Sequence, residues 1–423
     1  MIVPHNMKLR CRTISSFLIP FTLTQLCLAG DVLDQITDEI RQGTFFQSED
    51  GKTSLDFDFY TTVDNWVVSQ PPPGIMRTGE NYLNSPRLSM LGTFNVNEWM
   101  SIFALGNVDR GFDPTDESIQ IRPDIYFLQL NPFDGMAKGA FGKTQTTYGQ
   151  WANRHFSWDN PLVNAPLTYE WLTTALGSGP NAGKIGSKNL VANYNTWVPV
   201  IWGPSYTTGG QFTGTIDVFD YGFEIKNTAL SSAPDEWDLW NHGFYGDALT
   251  YSGRVGWRPR TDWNFGISGS TGSYLAPNSV ADWQSYKQNV AGADISWAHG
   301  PLEIWSEVNW SSFDVRQGAN SNAGTVGLVS YFIESKWKFA PSWWLAGRWN
   351  QQLYGDKPDS SDQWDNDVWR IDACLGWRLD RSLTVKTQVS YTDEQGPNPT
   401  SGGVSLPNKQ GEYLFDLQFV FSF

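Results

Sequence analysis

The chain predicts an all-β fold: a transmembrane antiparallel β-barrel of about 16 strands, with short turns at one end, long loops at the other and a short N-terminal helix. Three observations carry that prediction. In the segment Gly411 to Phe423, large apolar side chains (Tyr413, Phe415, Leu417, Phe419, Phe421 and Phe423) fall on one face of a pleat, opposite Glu412, Asp416, Gln418 and Ser422. The same alternation recurs along the chain opposite a face too charged for a protein core, which inverts the logic of a soluble sheet. The composition agrees: mean hydropathy is −0.38, yet there are 22 tryptophans and 15% aromatic residues. A barrel wall needs only alternate residues to be apolar, and its rims take Trp and Tyr. Alternation by itself leaves a soluble β-sandwich open.

Residues 1–29 read as an export signal. Lys8, Arg10 and Arg12 precede a largely apolar run from Ile14 to Leu28, followed by the small residues Ala29 and Gly30. Pro20, Thr22, Thr24 and Gln25 make the run too short and polar to stay in a bilayer. Cleavage is expected after Ala29, with Gly30 as the alternative; Gln25 and Leu26 disfavour a lipidated Cys27. Loss of the signal takes the formal charge from −15 to −18 and leaves Cys374 as the sole cysteine, so no intrachain disulfide is expected. Strong acidity argues against nucleic acid as a partner. Downstream, no apolar stretch approaches the roughly 20 residues that a spanning helix needs.

Residues 30–423 are then one barrel, with 30–52 a periplasmic leader. Val32, Leu33, Ile36 and Ile40 fall at helical spacing and predict a short amphipathic helix between Asp31 and Gln42. Strands are expected near 53–63, 86–94, 98–107, 119–130, 136–148, 194–203, 210–226 and 248–259. Further strands are expected near 262–272, 285–298, 301–313, 325–339, 343–354, 366–379, 382–393 and 410–423. The joints supply an independent check. Those at Asn95 to Asn97, Asn131 to Gly135, Arg260-Thr261, His299-Gly300, Ala340-Pro341 and Asp380-Arg381 are short, and Pro204 to Gly209 is the remaining short one. The joints between them are long and rich in Gly, Pro, Asn and Asp, as alternating turns and loops require.

Period two also assigns faces. On 366–379, Trp369, Ile371, Ala373, Leu375 and Trp377 point to lipid, and Arg370, Asp372, Cys374, Gly376 and Arg378 to the lumen. Charges keep off the lipid face, where a midplane Arg or Lys costs about 2–4 kcal/mol. Trp99, Trp263, Trp297, Trp337, Trp343, Trp369 and Trp377 lie near strand ends and suit interfacial girdles. The expected pore lining carries Arg254, Arg258, Lys336, Lys338, Arg348, Arg370, Arg378 and Lys386 against Asp294, Glu303, Glu307 and Asp372. Opposed arrays of this kind set up a transverse field; equally, the charges pair across strands and stiffen the wall. The loop acids match no calcium-loop spacing and read as a solvated surface, so neither metal nor cofactor is expected.

The segment Gly149 to Asn193 is too long for an idle connection. Its aromatics suggest a constriction folded into the lumen, with Trp151, Trp158 and Trp171 offering faces to ring-bearing solutes. A loop closing against its own barrel or a neighbouring protomer is the alternative. Catalytic motifs are missing: no G-x-S-x-G, H-E-x-x-H or phosphate loop occurs, and the mature chain holds only His155, His242 and His299. A barrel wide enough for an aqueous channel favours passive passage of small hydrophilic solutes or ions. A barrel hydrolase and a structural or adhesive barrel are the other classes.

The stretch G-A-F-G-K-T-Q-T-T-Y-G-Q-W, Gly139 to Trp151, resembles a G-K-x-x-x-x-x-G signature strand of phosphate-selective-porin-like and related porins. Tyr251 to Gly272 is similar to a hairpin of those barrels, and the C-terminal aromatic strand resembles the assembly signal of outer-membrane proteins. The resemblance implies a porin-like channel in a Gram-negative outer membrane, contacting lipid and lipopolysaccharide and assembling as a homotrimer. The acidic balance departs from what phosphate selectivity suggests.

Overall fold

The computed structural model describes residues 44–68, 82–109, 119–186, 196–233, 248–317, 321–358, 360–395, 400–401, 404–405 and 411–423. The expected export signal and the helix over 31–42 lie outside the described residues. Sixteen antiparallel strands close into a ring. The first eight are β1 (Ser54–Val68), β2 (Tyr82–Asn97), β3 (Met100–Asp109), β4 (Gln120–Leu130), β5 (Lys138–Thr144), β6 (Thr207–Ile216), β7 (Phe219–Lys226) and β8 (Thr250–Arg260). The others are β9 (Trp263–Ser273), β10 (Lys287–His299), β11 (Leu302–Gln317), β12 (Ser321–Ala340), β13 (Trp343–Tyr354), β14 (Asp367–Arg378), β15 (Leu383–Gln395) and β16 (Glu412–Ser422). Each pairs with its neighbours in sequence, and β16 pairs with β1 from Tyr60↔Ser422 to Val68↔Leu414. Closure leaves the ring without a free edge. An extra strand, Thr44–Gln47, pairs with Ser54 to Asp56 on the flank of β1 that β16 does not reach.

The wall is inside-out relative to a soluble sheet, which removes the sandwich alternative. Ile371 is 48% exposed and Ile333 53%, whereas their inward neighbours Arg370 and Glu334 are 5% and 0% exposed. Outward aromatics gather in two rows. One is continuous over four adjacent strands: Trp349 stacks on Trp369 at 5.1 Å, Trp369 meets Tyr391 at 5.4 Å and Tyr391 meets Tyr413 at 5.0 Å. The other lies near the short turns, where Trp343 stacks on Trp377 at 4.8 Å and Trp263 meets Trp297 at 5.9 Å. Small apolar residues such as Ala373 and Gly347 face outward between the rows. Two girdles flanking an apolar band are what a bilayer selects.

Two expectations fail, and their errors cancel in the strand count. Residues 194–203 are not wall: Trp197–Pro199 pairs with Leu172–Leu176 in a small sheet inside the barrel. Residues 210–226 are not one strand but the hairpin of β6 and β7, turned at Asp217 with φ 52°. The reason for the first is burial on both sides. Trp197, Val198, Val200, Ile201 and Trp202 are all buried, whereas a wall strand keeps one face wet. The short joint therefore falls at 217–218 rather than at Pro204 to Gly209. The expected strand 136–148 also stops early, at Thr144.

Candidate functional site

The shortness of β5 creates the site. Its seven residues leave the wall at Thr144, and the chain does not return until Thr207. Gly142 allows the departure: its φ is 141°, and a Cβ there would lie 2.2 Å from the Tyr126 carbonyl oxygen. From Gln145 to Tyr206 the described chain packs against the lumen face, reaching strands on both sides of the barrel.

The first crossing lands on carboxylates. Thr146 Oγ1 and the Thr147 amide donate to Glu224 at 2.6 and 2.9 Å. Four strands further round the ring, on β11, Glu307 accepts the Gln150 and Trp151 amides at 2.7 Å each, and Tyr148 donates its hydroxyl to Asn309 at 2.8 Å. Arg154 then reaches Glu334 at 2.5 Å while lying 4.4 Å over the Trp305 ring. His155 bonds to Tyr206 and to the Ala152 carbonyl, and Ser157 meets Thr62 of β1 at 2.8 Å.

The second crossing lands on cations. Lys386 Nζ donates to the carbonyls of Ser157, Asn160 and Leu162 at 2.5, 2.7 and 3.3 Å. Arg348 Nη2 donates to the Asn164 and Ala165 carbonyls at 3.0 Å each. Its other nitrogens hold Asp372 at 2.9 Å and Glu334 at 3.2 Å. Arg370 bonds to Glu170 and to the Ala165 carbonyl, with Asp372 at 3.0 Å. Charges this deeply buried are tolerated because carboxylates and carbonyl dipoles replace their water.

Above these anchors the segment forms an apolar body. Trp151, Trp171, Val198 and Ile201 join Phe313, Val326, Phe332 and Trp364 of the wall side in one buried cluster. Polar clips surround it: Asp365 accepts the Thr174 amide at 2.8 Å, Arg316 donates to the Ala182 carbonyl at 2.6 Å, and Gln288 to the Val200 carbonyl at 2.7 Å.

The twelve charged residues expected in the lumen divide into two groups. Arg254, Arg348, Arg370, Lys386, Asp294, Glu307 and Asp372 are buried. Arg254 is held by Asp294 at 2.7 Å and Asp220 at 2.6 Å. Arg258, Lys336, Lys338, Arg378 and Glu303 retain access to water toward the short-turn end. Among them Arg258 pairs with Asp220 at 3.3 Å and Lys336 with Glu303 at 3.4 Å. Trp151 and Trp171 are buried and present no free face; Trp158 is partly exposed, stacked between Tyr60 and Phe156. Arg154, Glu170 and Asn164 were not anticipated, because a connection carries no alternation to orient them. Asn350 and Gln352 were legible, as alternate polar positions on β13.

No family model matches the chain, and no curated protein is similar to it in sequence. Its fold is shared with solved barrels. An anion-selective porin from Comamonas acidovorans superposes with a TM-score of 0.54 at 10% identity, covering 88% of this chain and 100% of that one. A loop L8 deletion mutant of OmpT, an outer membrane protein of Vibrio cholerae, gives 0.54 at 10% identity with the same coverages. Salmonella typhi OmpF, solved in complex with daunomycin, gives 0.53 at 8% identity, covering 89% and 100%. The chain has the porin-like fold of an outer-membrane barrel.

Proposed function

We propose that this chain is a passive channel of a Gram-negative outer membrane, passing small hydrophilic solutes or ions along a mixed-charge lumen. The observation that carries it is a closed ring of sixteen strands with polar and charged side chains turned inward and apolar ones outward. A ring of that size encloses more space than wall side chains fill. The lumen segment occupies part of it, as a constriction does.

The buried charges and the exposed ones have different tasks. Arg348, Arg370, Lys386 and Glu307 hold the segment and are shielded from any passing solute. The water-facing pairs Arg258 with Asp220 and Lys336 with Glu303 offer both signs to it. No bond is made or broken in passage, and the gradient supplies the driving force. The apolar band and its girdles sit in lipid beside lipopolysaccharide. Assembly as a homotrimer belongs to the same proposal.

Purified protein in a planar bilayer, recorded with a KCl gradient, tests it. Stepwise currents with a defined reversal potential are expected; folded protein that inserts without conducting overturns the channel. Deletion of residues 155–185 should raise conductance and solute cutoff, and unchanged values would remove the constriction.

A further inference from the structure

A water-filled barrel selects polar residues on its inner face. Apart from wall residues such as Phe313 and Phe332, which pack under the lumen segment, a second sector departs from this. Register aligns Asp56, Thr93, Phe103 and Phe127 of β1 to β4 in a single inward row. The next row toward the long loops is Asp58, Leu91, Leu105 and Ile125. Polar residues bound the patch on either side, with Ser89 and Asn107 beyond it and Asn95 and Gln129 before it.

The patch is only half used as packing. Leu105 and Ile125 are buried with Tyr206, and Phe156 of the lumen segment rests against them. Leu91, Phe103 and Phe127 stay partly exposed to the lumen, and the two phenylalanine rings stack at 5.2 Å and 26°. The lumen segment extends the aromatic surface, since Phe156 stacks on Trp158 at 4.5 Å and Trp158 on Tyr60 at 3.9 Å. At its β1 border the shelf ends in carboxylates: Asp58 is exposed and Asp56 partly so.

Aromatic planes edged by carboxylates match a ring that has an apolar C–H face and hydroxyls around its rim. The face stacks, and the hydroxyls donate to the carboxylate oxygens. The amides of Asn95 and Gln129 add donors and acceptors along the short-turn border. We propose that this shelf binds neutral sugar rings within the lumen. The proposal rests on the channel reading, which supplies the route by which a sugar arrives.

Maltose is the probe, with benzyltrimethylammonium as the cationic alternative. In bilayer recordings maltose should interrupt the current in a concentration-dependent way. Phe103→Ala and Phe127→Ala should each raise the half-blocking concentration about tenfold. Asp58→Asn changes an exposed group without touching the packing and should raise it about threefold. Calorimetric titration of the same protein with maltose separates the two ways of failing. Binding heat weakened by Asp58→Asn in a non-conducting protein keeps the shelf and removes the channel. A conducting protein with neither block nor heat removes the shelf, as does a block that all three variants leave unchanged. Block by the organic cation in place of maltose assigns the shelf to cations and overturns the sugar site.

Discussion

Glu307 on β11 accepts the Tyr169 hydroxyl at 2.6 Å through one carboxylate oxygen while the other takes two successive amides of the lumen segment. A single fully buried side chain thus ties together both crossings of that segment. Glu307→Ala strands three donors, of which the Trp151 amide and the Tyr169 hydroxyl are buried and worth about 1–3 kcal/mol each when unsatisfied. Limited proteolysis should then cut within residues 150–170, where the wild-type protein resists. Glu307→Gln keeps the shape and should show an intermediate rate. Equal resistance in all three proteins would contradict the anchoring role.

Arg348 sits between Glu334 and Asp372, all three side chains being inaccessible to water. Arg348→Met leaves two carboxylates without their shared cation, a change that typically costs about 3–5 kcal/mol in a buried network. Urea unfolding of the protein in lipid vesicles should show this loss. Arg154 still faces Glu334 and Arg370 still faces Asp372, so each carboxylate keeps one cation. A smaller loss is expected when Glu334→Gln accompanies the change, because one of the two excess negative charges is removed with the cation.

Ala373 faces outward midway between the girdle residues Trp369 and Trp377. Ala373→Arg should destabilise the inserted barrel by about 2–4 kcal/mol, the range for a cation at the bilayer midplane. Ala373→Leu should stay within about 0.5 kcal/mol of wild type. The same unfolding measurement reads both, and similar losses for the two variants would place this face away from lipid.

Gly142→Ala sets a methyl group against the Tyr126 carbonyl in a backbone region that L-residues rarely adopt. The strain is expected to cost about 1–3 kcal/mol and to loosen the departure of the lumen segment. Circular dichroism of the refolded protein should show retained strand content with a lowered midpoint. An unchanged midpoint would mean that the wall bends elsewhere.

The wall was readable because lipid and water impose opposite demands on consecutive residues. Trp369, Arg370, Ile371 and Asp372 alternate in sequence as they alternate in space. Val198 to Trp202 misled for the same reason: an apolar run resembles a strand whether lipid or protein covers it. Its lack of a polar alternate was the available signal. Asp217 carries the β6–β7 turn without the Gly or Asn that usually marks one. The inner charges were legible as inward-facing, but not what covers them. One partner of Arg348 is the Asn164 carbonyl, 184 positions away, and no local pattern reports that contact.

The seam between β1 and β16 joins Asp64 to Gln418 across 354 positions, and Phe59 exchanges backbone hydrogen bonds with Phe423. Such a contact cannot form early, because ordering so long an intervening chain is entropically costly. Until the final strand arrives, β1 presents bare amides and carbonyls along its flank, and Thr44–Gln47 shields only the first few. An arrested folding intermediate would carry a ready template for joining another chain edge to edge. Closing the circle is therefore the step that removes this edge from other chains.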